Sequence, residues 1–227
     1  MTGGAPRPER DRQAEALHAL RPLRLLKRHL RYSAWVLGPG RRAAIDEALT
    51  QLYREVNRFL SVLGVPWWIC YGTLLGWYRN GGLLRGERDV DFGLPIDAYE
   101  TVWQARHELP EGFRMFDTSP WHFGPKLYVE HGGWEADLYF YRVLADGRMQ
   151  SCERSPRQGD VAPFHPSLVH PLVSATFLGE PTWVPSDSPG WLLHTYGCID
   201  EGAVQDRRTG YWHRRAAADG PSPWGRS

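Results

Sequence analysis

The chain has 227 residues, 42% of them hydrophobic and 23% charged, a globular balance that suits one large domain or one domain with an appendage. It excludes wholesale disorder, collagen and coiled coil. The formal net charge of +1 conceals an asymmetry: up to Arg42 there are ten Lys/Arg against three Asp/Glu, and beyond it 17 against 23, and an acidic body is a poor general nucleic-acid binder because such binding neutralises phosphates.

Cys70, Cys152 and Cys198 are widely spaced and odd in number, which fits neither a disulfide framework nor a CxxC zinc pattern and points to a reducing compartment. The start, Met1-Thr-Gly-Gly-Ala-Pro-Arg, has no apolar core or cleavage site, so no signal peptide is expected and the chain reads as cytoplasmic. The uncharged stretch from Val62 to Tyr78 is interrupted by Gly64, Pro66, Gly72 and Gly76. It reads as a buried strand and turn, not a membrane span.

Residues 1 to about 12 are rich in Gly, Pro and Arg. From Gln13 to Leu37, leucines recur at Leu17, Leu20, Leu23, Leu26 and Leu30 among Arg21, Arg24, Lys27, Arg28 and Arg31, close to helical spacing. Two readings stay open: a helix packed on the domain with a solvated arginine face, or a peripheral contact with an anionic membrane face or lipid-linked substrate. Gly38-Pro39-Gly40 breaks the chain. A second helix is predicted from Arg42 to Leu63 on the stripe Ile45, Leu49, Leu52, Val56, Phe59 and Leu60, with Gly64 as its C-cap. A short buried strand follows from Trp67 to Tyr71, then a short helix from Thr73 to Arg79, a strand from Val90 to Leu94 and a helix from Ile96 to Leu109. Strands are predicted from Phe113 to Phe116, Phe123 to Val129 and Glu135 to Arg142, with a turn at Ala145-Asp146-Gly147 into another near Met149. Residues 153 to 171 read as irregular, Thr176 to Val184 as one strand, Asp187 to Tyr196 as a short helix, and the tail beyond Asp200 has no period. Helices first and a mostly antiparallel region after them indicate an α+β fold.

The stretch Leu84-Arg85-Gly86-Glu87-Arg88-Asp89-Val90-Asp91-Phe92-Gly93 holds Glu87, Asp89 and Asp91 at alternate positions, which share one face of an extended strand. Like charges so close repel unless a counter-charge is supplied, and Mg2+ supplies one through hard oxygen ligands. The plainer alternative is an exposed edge strand whose acids and Arg88 serve solubility. Asp137 lies in Trp134-Glu135-Ala136-Asp137-Leu138-Tyr139-Phe140, a strand-like run in which an acid needs a partner. That partner is either an arginine, Arg142 or Arg79, or a cation shared with Asp89 and Asp91. Two cations so held clamp the attacking and leaving oxygens of an in-line phosphoryl displacement.

Upstream stands Tyr71-Gly72-Thr73-Leu74-Leu75-Gly76-Trp77-Tyr78-Arg79-Asn80-Gly81-Gly82. This G-T-L-L-G-x-x-R-x-x-G run with alternating acids after it resembles the LicD family of phosphocholine transferases, related to fukutin and fukutin-related protein, within the polymerase-beta-type nucleotidyltransferase superfold. The resemblance runs from about residue 45 to 197 and includes Phe177 to Pro185, Trp191-Leu192-Leu193 and Tyr196-Gly197. Relatives commonly carry Pro-Trp before the acids, where Leu84-Arg85-Gly86-Glu87 stands here.

The resemblance implies an α+β, nucleotidyltransferase-type mixed or antiparallel sheet with flanking helices, here behind an N-terminal helical extension. Domains are expected at 1–40 (basic extension), 41–200 (LicD-like) and 201–227 (C-terminal tail). It implies a metal-dependent phosphotransferase in which Asp89, Asp91 and Asp137 are catalytic and bind metal with Glu87, the cofactor being two Mg2+ or Mn2+ ions. Gly72, Thr73, Arg79 and Lys126 would bind the nucleotide and its phosphates. The donor would be a CDP-alcohol, the acceptor a hydroxyl on a cell-envelope glycan or lipid-linked glycan, with no nucleic acid as partner. A phosphocholine donor would need an aromatic cage, for which Trp77 and Trp134 stand nearest. Alternatives are a nucleotidyltransferase moving NMP from NTP to a small molecule, and a non-catalytic binding module on the same fold.

Overall fold

The computed structural model describes residues 40–122, 124–153, 161–206 and 209–214. The basic helix read from Gln13 to Leu37 lies outside the described residues, as does most of the tail. Helix α1 (Gly40–Leu63) buries Leu49, Leu52, Tyr53, Val56 and Leu60 completely, the stripe its periodicity predicts, at about 1.5–3 kcal/mol for each large apolar side chain. Then come β1 (Trp68–Ile69), α2 (Tyr71–Asn80), β2 (Asp89–Pro95) and α3 (Tyr99–Gln104), the last between single 3-10 turns at Ile96–Ala98 and Ala105–Glu108. Next are β3 (Arg114–Asp117), a single-turn α4 (Ser119–His122), β4 (Lys126–His131), β5 (Trp134–Val143) and β6 (Met149–Ser151). The chain closes with β7 (Val173–Phe177), β8 (Glu180–Val184), α5 (Ser188–Tyr196), β9 (Val204–Gln205) and β10 (Trp212–His213).

The main sheet has the order β1-β2-β5-β4-β3, with β6 also paired to β5. Its pairings are antiparallel except β2 with β5, which run parallel. The sheet is thus mixed and the fold α+β. On β2, Val90, Phe92 and Leu94 are fully buried and face α1, whose Tyr53 ring stacks on Phe92 at 5.7 Å. Alternation sends Asp89, Asp91 and Gly93 to the opposite face. There Tyr71 of α2 meets Tyr139 of β5 at 4.6 Å and Trp191 of α5 at 5.4 Å. The acids of β2 therefore lie on the face that α2 covers.

Three predicted elements differ. The helix from Ile96 to Leu109 is a relay of short pieces, with Val102 and Trp103 turned fully inward. The stretch from Thr176 to Val184 is not one strand: it holds the end of β7, a turn at Leu178 (φ 52) and Gly179 (φ 84), and β8, which pairs back on β7. The strand from Phe123 begins only at Lys126, because α4 occupies the chain just before it. Among the described residues no helix is long and apolar enough to cross a membrane, and Val62 to Tyr78 divides among the end of α1, β1 and α2.

Candidate functional site

Strand β1 is cut short because the chain turns into α2. Cys70 is still extended, at φ −137 and ψ −179, and its N–H donates to the Asp91 carbonyl at 3.1 Å. Tyr71 then takes a positive φ of 45. Two residues further the helix replaces the missing strand: the Asp91 N–H donates to Thr73 Oγ1 at 2.8 Å. That hydroxyl is fully buried and also lies 3.5 Å from Asp91 Oδ2. Gly72 lets the Glu87 carboxylate approach closely, since a Cβ there would stand 2.8 Å from Glu87 Oε1 and would push that side chain aside. Gly72, Thr73, Glu87 and Asp91 are thus brought together at the start of α2.

The parallel pairing does the rest. Asp91 is in register with Asp137, and Asp89 with Glu135, so Asp89, Asp91 and Asp137 share a face on strands about 4.8 Å apart. Glu87 departs from the expected alternation. Strand β2 begins at Asp89, and Gly86, at φ 93, turns the chain so that Glu87 enters from a loop. Asp91 is 5% exposed. Burial, then the charges of Asp89, Asp137 and Glu87, pushes its carboxyl well above the ordinary range, against the pull of Lys126. Burial and then Asp89 push Glu87 up to about 7. Among the described residues no three His, Cys, Asp or Glu side chains stand in position to hold a metal ion. The donor set is nevertheless of the hard-oxygen kind that suits Mg2+, and ligation would require these side chains to rotate toward one another.

One cation is built into this acidic face. Lys126, in register with Tyr139, places Nζ 3.5 Å from Asp137 Oδ2 and 3.2 Å from Glu153 Oε2. It also lies 4.0 Å over the Tyr139 ring. Burial alone would lower this ammonium, but Asp137 and Glu153 outweigh it and hold it above its ordinary value. The Tyr139 hydroxyl donates to Asp137 Oδ2 at 3.1 Å.

The sequence matches the LicD/FKTN/FKRP nucleotidyltransferase domain over residues 64–187, which takes in Gly72, Thr73, the acids of β2, Lys126 and Asp137. The chain belongs to this family. Its curated relatives include the ribitol-5-phosphate transferase FKTN of Homo sapiens, 36% identical over 58 residues that cover 26% of this chain and 13% of that protein. The Mus musculus protein of the same name is 42% identical over 50 residues, 22% of this chain and 11% of that one. The matched part is therefore a small share of the relatives' length. Among solved structures, the lincosamide antibiotic adenylyltransferase LnuA, lincomycin-bound, aligns with a TM-score of 0.43 at 15% identity, covering 67% of this chain and 88% of that one. ANT(2")-Ia in complex with adenylyl-2"-tobramycin aligns at 0.41 and 16% identity, covering 60% and 68%.

Within this LicD-family chain, Arg79 does not join the acids. Its Nε and Nη2 donate to the Ile199 carbonyl at 3.1 and 2.6 Å, and Nη2 to the Asp200 carbonyl at 3.0 Å. The motif arginine, expected at a phosphate or at the metal strand, ties the end of α2 to the segment after α5. Ile199 and Asp200 also line a cavity of about 290 Å3 with Leu193, Cys198, Trp212 and Arg214, away from the acids. Trp77 Nε1 donates to the Thr176 carbonyl at 3.2 Å, which fastens α2 to β7. Sequence reading missed two acids, Glu135 beside Asp89 and Glu153 on Lys126. Glu135 could have been found, because it precedes Asp137 by two residues and so shares its face.

Proposed function

We propose that this chain is a metal-dependent phosphotransferase of LicD type, moving an alcohol phosphate from a nucleotide-activated donor to a hydroxyl on a glycan or glycolipid. The observation that carries the reading is the register of Asp91 with Asp137 beside the start of α2, fixed there by the Asp91–Thr73 hydrogen bond. First-turn N–H groups of a helix lack intrahelical acceptors, and with the bare Cα of Gly72 they suit the donor's phosphates. Asp89, Asp91 and Asp137, with Glu87 beside them, would hold two Mg2+ ions, or Mn2+ in their place, and these would neutralise charge on the transferring phosphoryl group. Lys126 contacts a phosphate oxygen. The acceptor oxygen bonds to the phosphorus that carries the alcohol, the bond from that phosphorus to the nucleoside monophosphate breaks, and the acceptor proton passes to Asp137. Such catalysis consists mostly of positioning and charge neutralisation.

The relatives' names make ribitol 5-phosphate the first group to try, with phosphocholine next. We place the reaction in the cytoplasm, with residues 41–200 as the catalytic domain and the basic charge of residues 1–40 suited to a peripheral contact with an anionic membrane face. The test is mass spectrometry of products after incubation with Mg2+, a CDP-alcohol panel and cell-envelope glycan. The expected result is an acceptor heavier by one alcohol phosphate, with release of CMP. A nucleoside monophosphate adduct formed from NTP would transfer the assignment to nucleotidyl transfer. Absence of any product, together with no Mg2+-dependent change in Tm, would leave a binding module.

A further inference from the structure

We propose that Glu153 is a positioning residue for Lys126, holding its ammonium partly off Asp137 so that Asp137 stays open to a divalent cation; the inference rests on the metal reading above. Lys126 is one of two lysines in the chain, and its side chain and that of Glu153 are 8% and 9% exposed. The ammonium is nearer to Glu153, at 3.2 Å, than to Asp137, at 3.5 Å. The nearer of the two carboxylates is therefore the one outside the β2–β5 acid pair.

The backbone fixes both ends of this contact. Lys126 N–H donates to Ser119 Oγ at 3.0 Å and its carbonyl accepts from Thr118 N–H at 3.0 Å. On the other side Cys152 N–H donates to the Phe140 carbonyl at 2.7 Å. A Cβ on Gly124 would lie 1.8 Å from the Cys152 carbonyl oxygen, so only glycine lets the entry to β4 pass close enough to set Glu153 on Lys126. Glu153 Oε2 also stands 3.5 Å from His122 Nδ1.

A lysine between two carboxylates divides its attraction. With the Glu153 charge removed, the ammonium settles on Asp137 and competes there with a cation. The test is a double-mutant cycle on Mn2+ affinity, read by titration calorimetry or by the free-Mn2+ resonance, with no substrate present. Glu153→Gln is expected to weaken Mn2+ about tenfold in the Lys126 protein, the range seen when a group that orients a metal ligand is removed. In a Lys126→Met background the same change should have almost no effect. Glu153→Asp, which keeps the charge but withdraws it by one methylene, should fall between. Melting in EDTA verifies that each variant folds, and Lys126→Gln replaces Lys126→Met if the apolar variant does not. An equal loss in both backgrounds would make Glu153 a direct ligand or a distant charge and overturn the inference alone, as would no loss in either. A native chain that binds no Mn2+ would overturn the metal reading, and this inference with it.

Discussion

Glu87→Gln probes the acidic cluster through stability. The carboxyl lies against the Cα of Gly72, and burial followed by Asp89 raises it from 4.5 to about 7. In the unfolded chain it titrates near 4.5, so between pH 4.5 and about 7 the unfolded state loses this proton while the native state keeps it. Stability therefore falls as pH rises through that window, and the loss is complete above about 7. At about 1.4 kcal/mol per pH unit, the full displacement corresponds to at most about 3 kcal/mol. Glutamine carries no charge at any pH. Glu87→Gln should thus be more stable than the parent by up to about 3 kcal/mol at pH 8 and equal to it at pH 4. Urea unfolding in EDTA at pH 4, 6 and 8 measures this. A difference that does not change with pH, or a variant less stable at pH 8, would show that Glu87 ionises in the folded chain without penalty and would refute the reasoning.

Asp89→Asn should lower turnover about 100-fold or more, the scale for losing a group that stabilises transition-state charge, with melting in EDTA nearly unchanged; equal turnover in Mg2+-replete buffer would remove Asp89 from the site. Thr73→Val leaves the buried Asp91 N–H without its acceptor and should cost about 1–3 kcal/mol in urea unfolding, whereas Thr73→Ser keeps most of that stability. Arg79→Met removes the bonds to Ile199 and Asp200 and should cost about 1–2 kcal/mol, with faster amide exchange in the segment after α5. If it raised the donor KM without changing exchange, Arg79 would be a phosphate ligand after all.

The elements that build the site were legible where the signal is local. Val90, Phe92 and Leu94 alternate with Asp89, Asp91 and Gly93, which declares a strand with one acidic face. The pairing of β2 with β5 was not legible in that way. A parallel register arises only after α3, β3 and β4 have intervened, and nothing local fixes it; the order of motifs in the family resemblance stood in for it. Glu153 follows β6 in a stretch without period, and its place depends on the distant Gly124. Arg79 stands apart from the acids for a reason that helix geometry already supplies. It lies seven residues beyond Gly72, about 10 Å along the axis, and so at the far end of α2 from the acids.

The acidic face is tolerated by means that its position on α2 does not supply. A helix N-terminus favours nearby negative charge by only about 0.3–1 kcal/mol, less than the up to about 3 kcal/mol set against Glu87 alone. The balance comes from elsewhere. Asp91 and Glu87 are pushed toward their protonated forms, and Asp137 leans on Lys126. A divalent cation entering among these groups would compete with the protons that burial and like charge favour on Asp91 and Glu87, and would share Asp137 with the ammonium. Protonation and the Lys126 contact are the two terms against which any such ion competes, and Glu153 bears on the second, so a residue outside the acid pair acts on how readily that pair is opened.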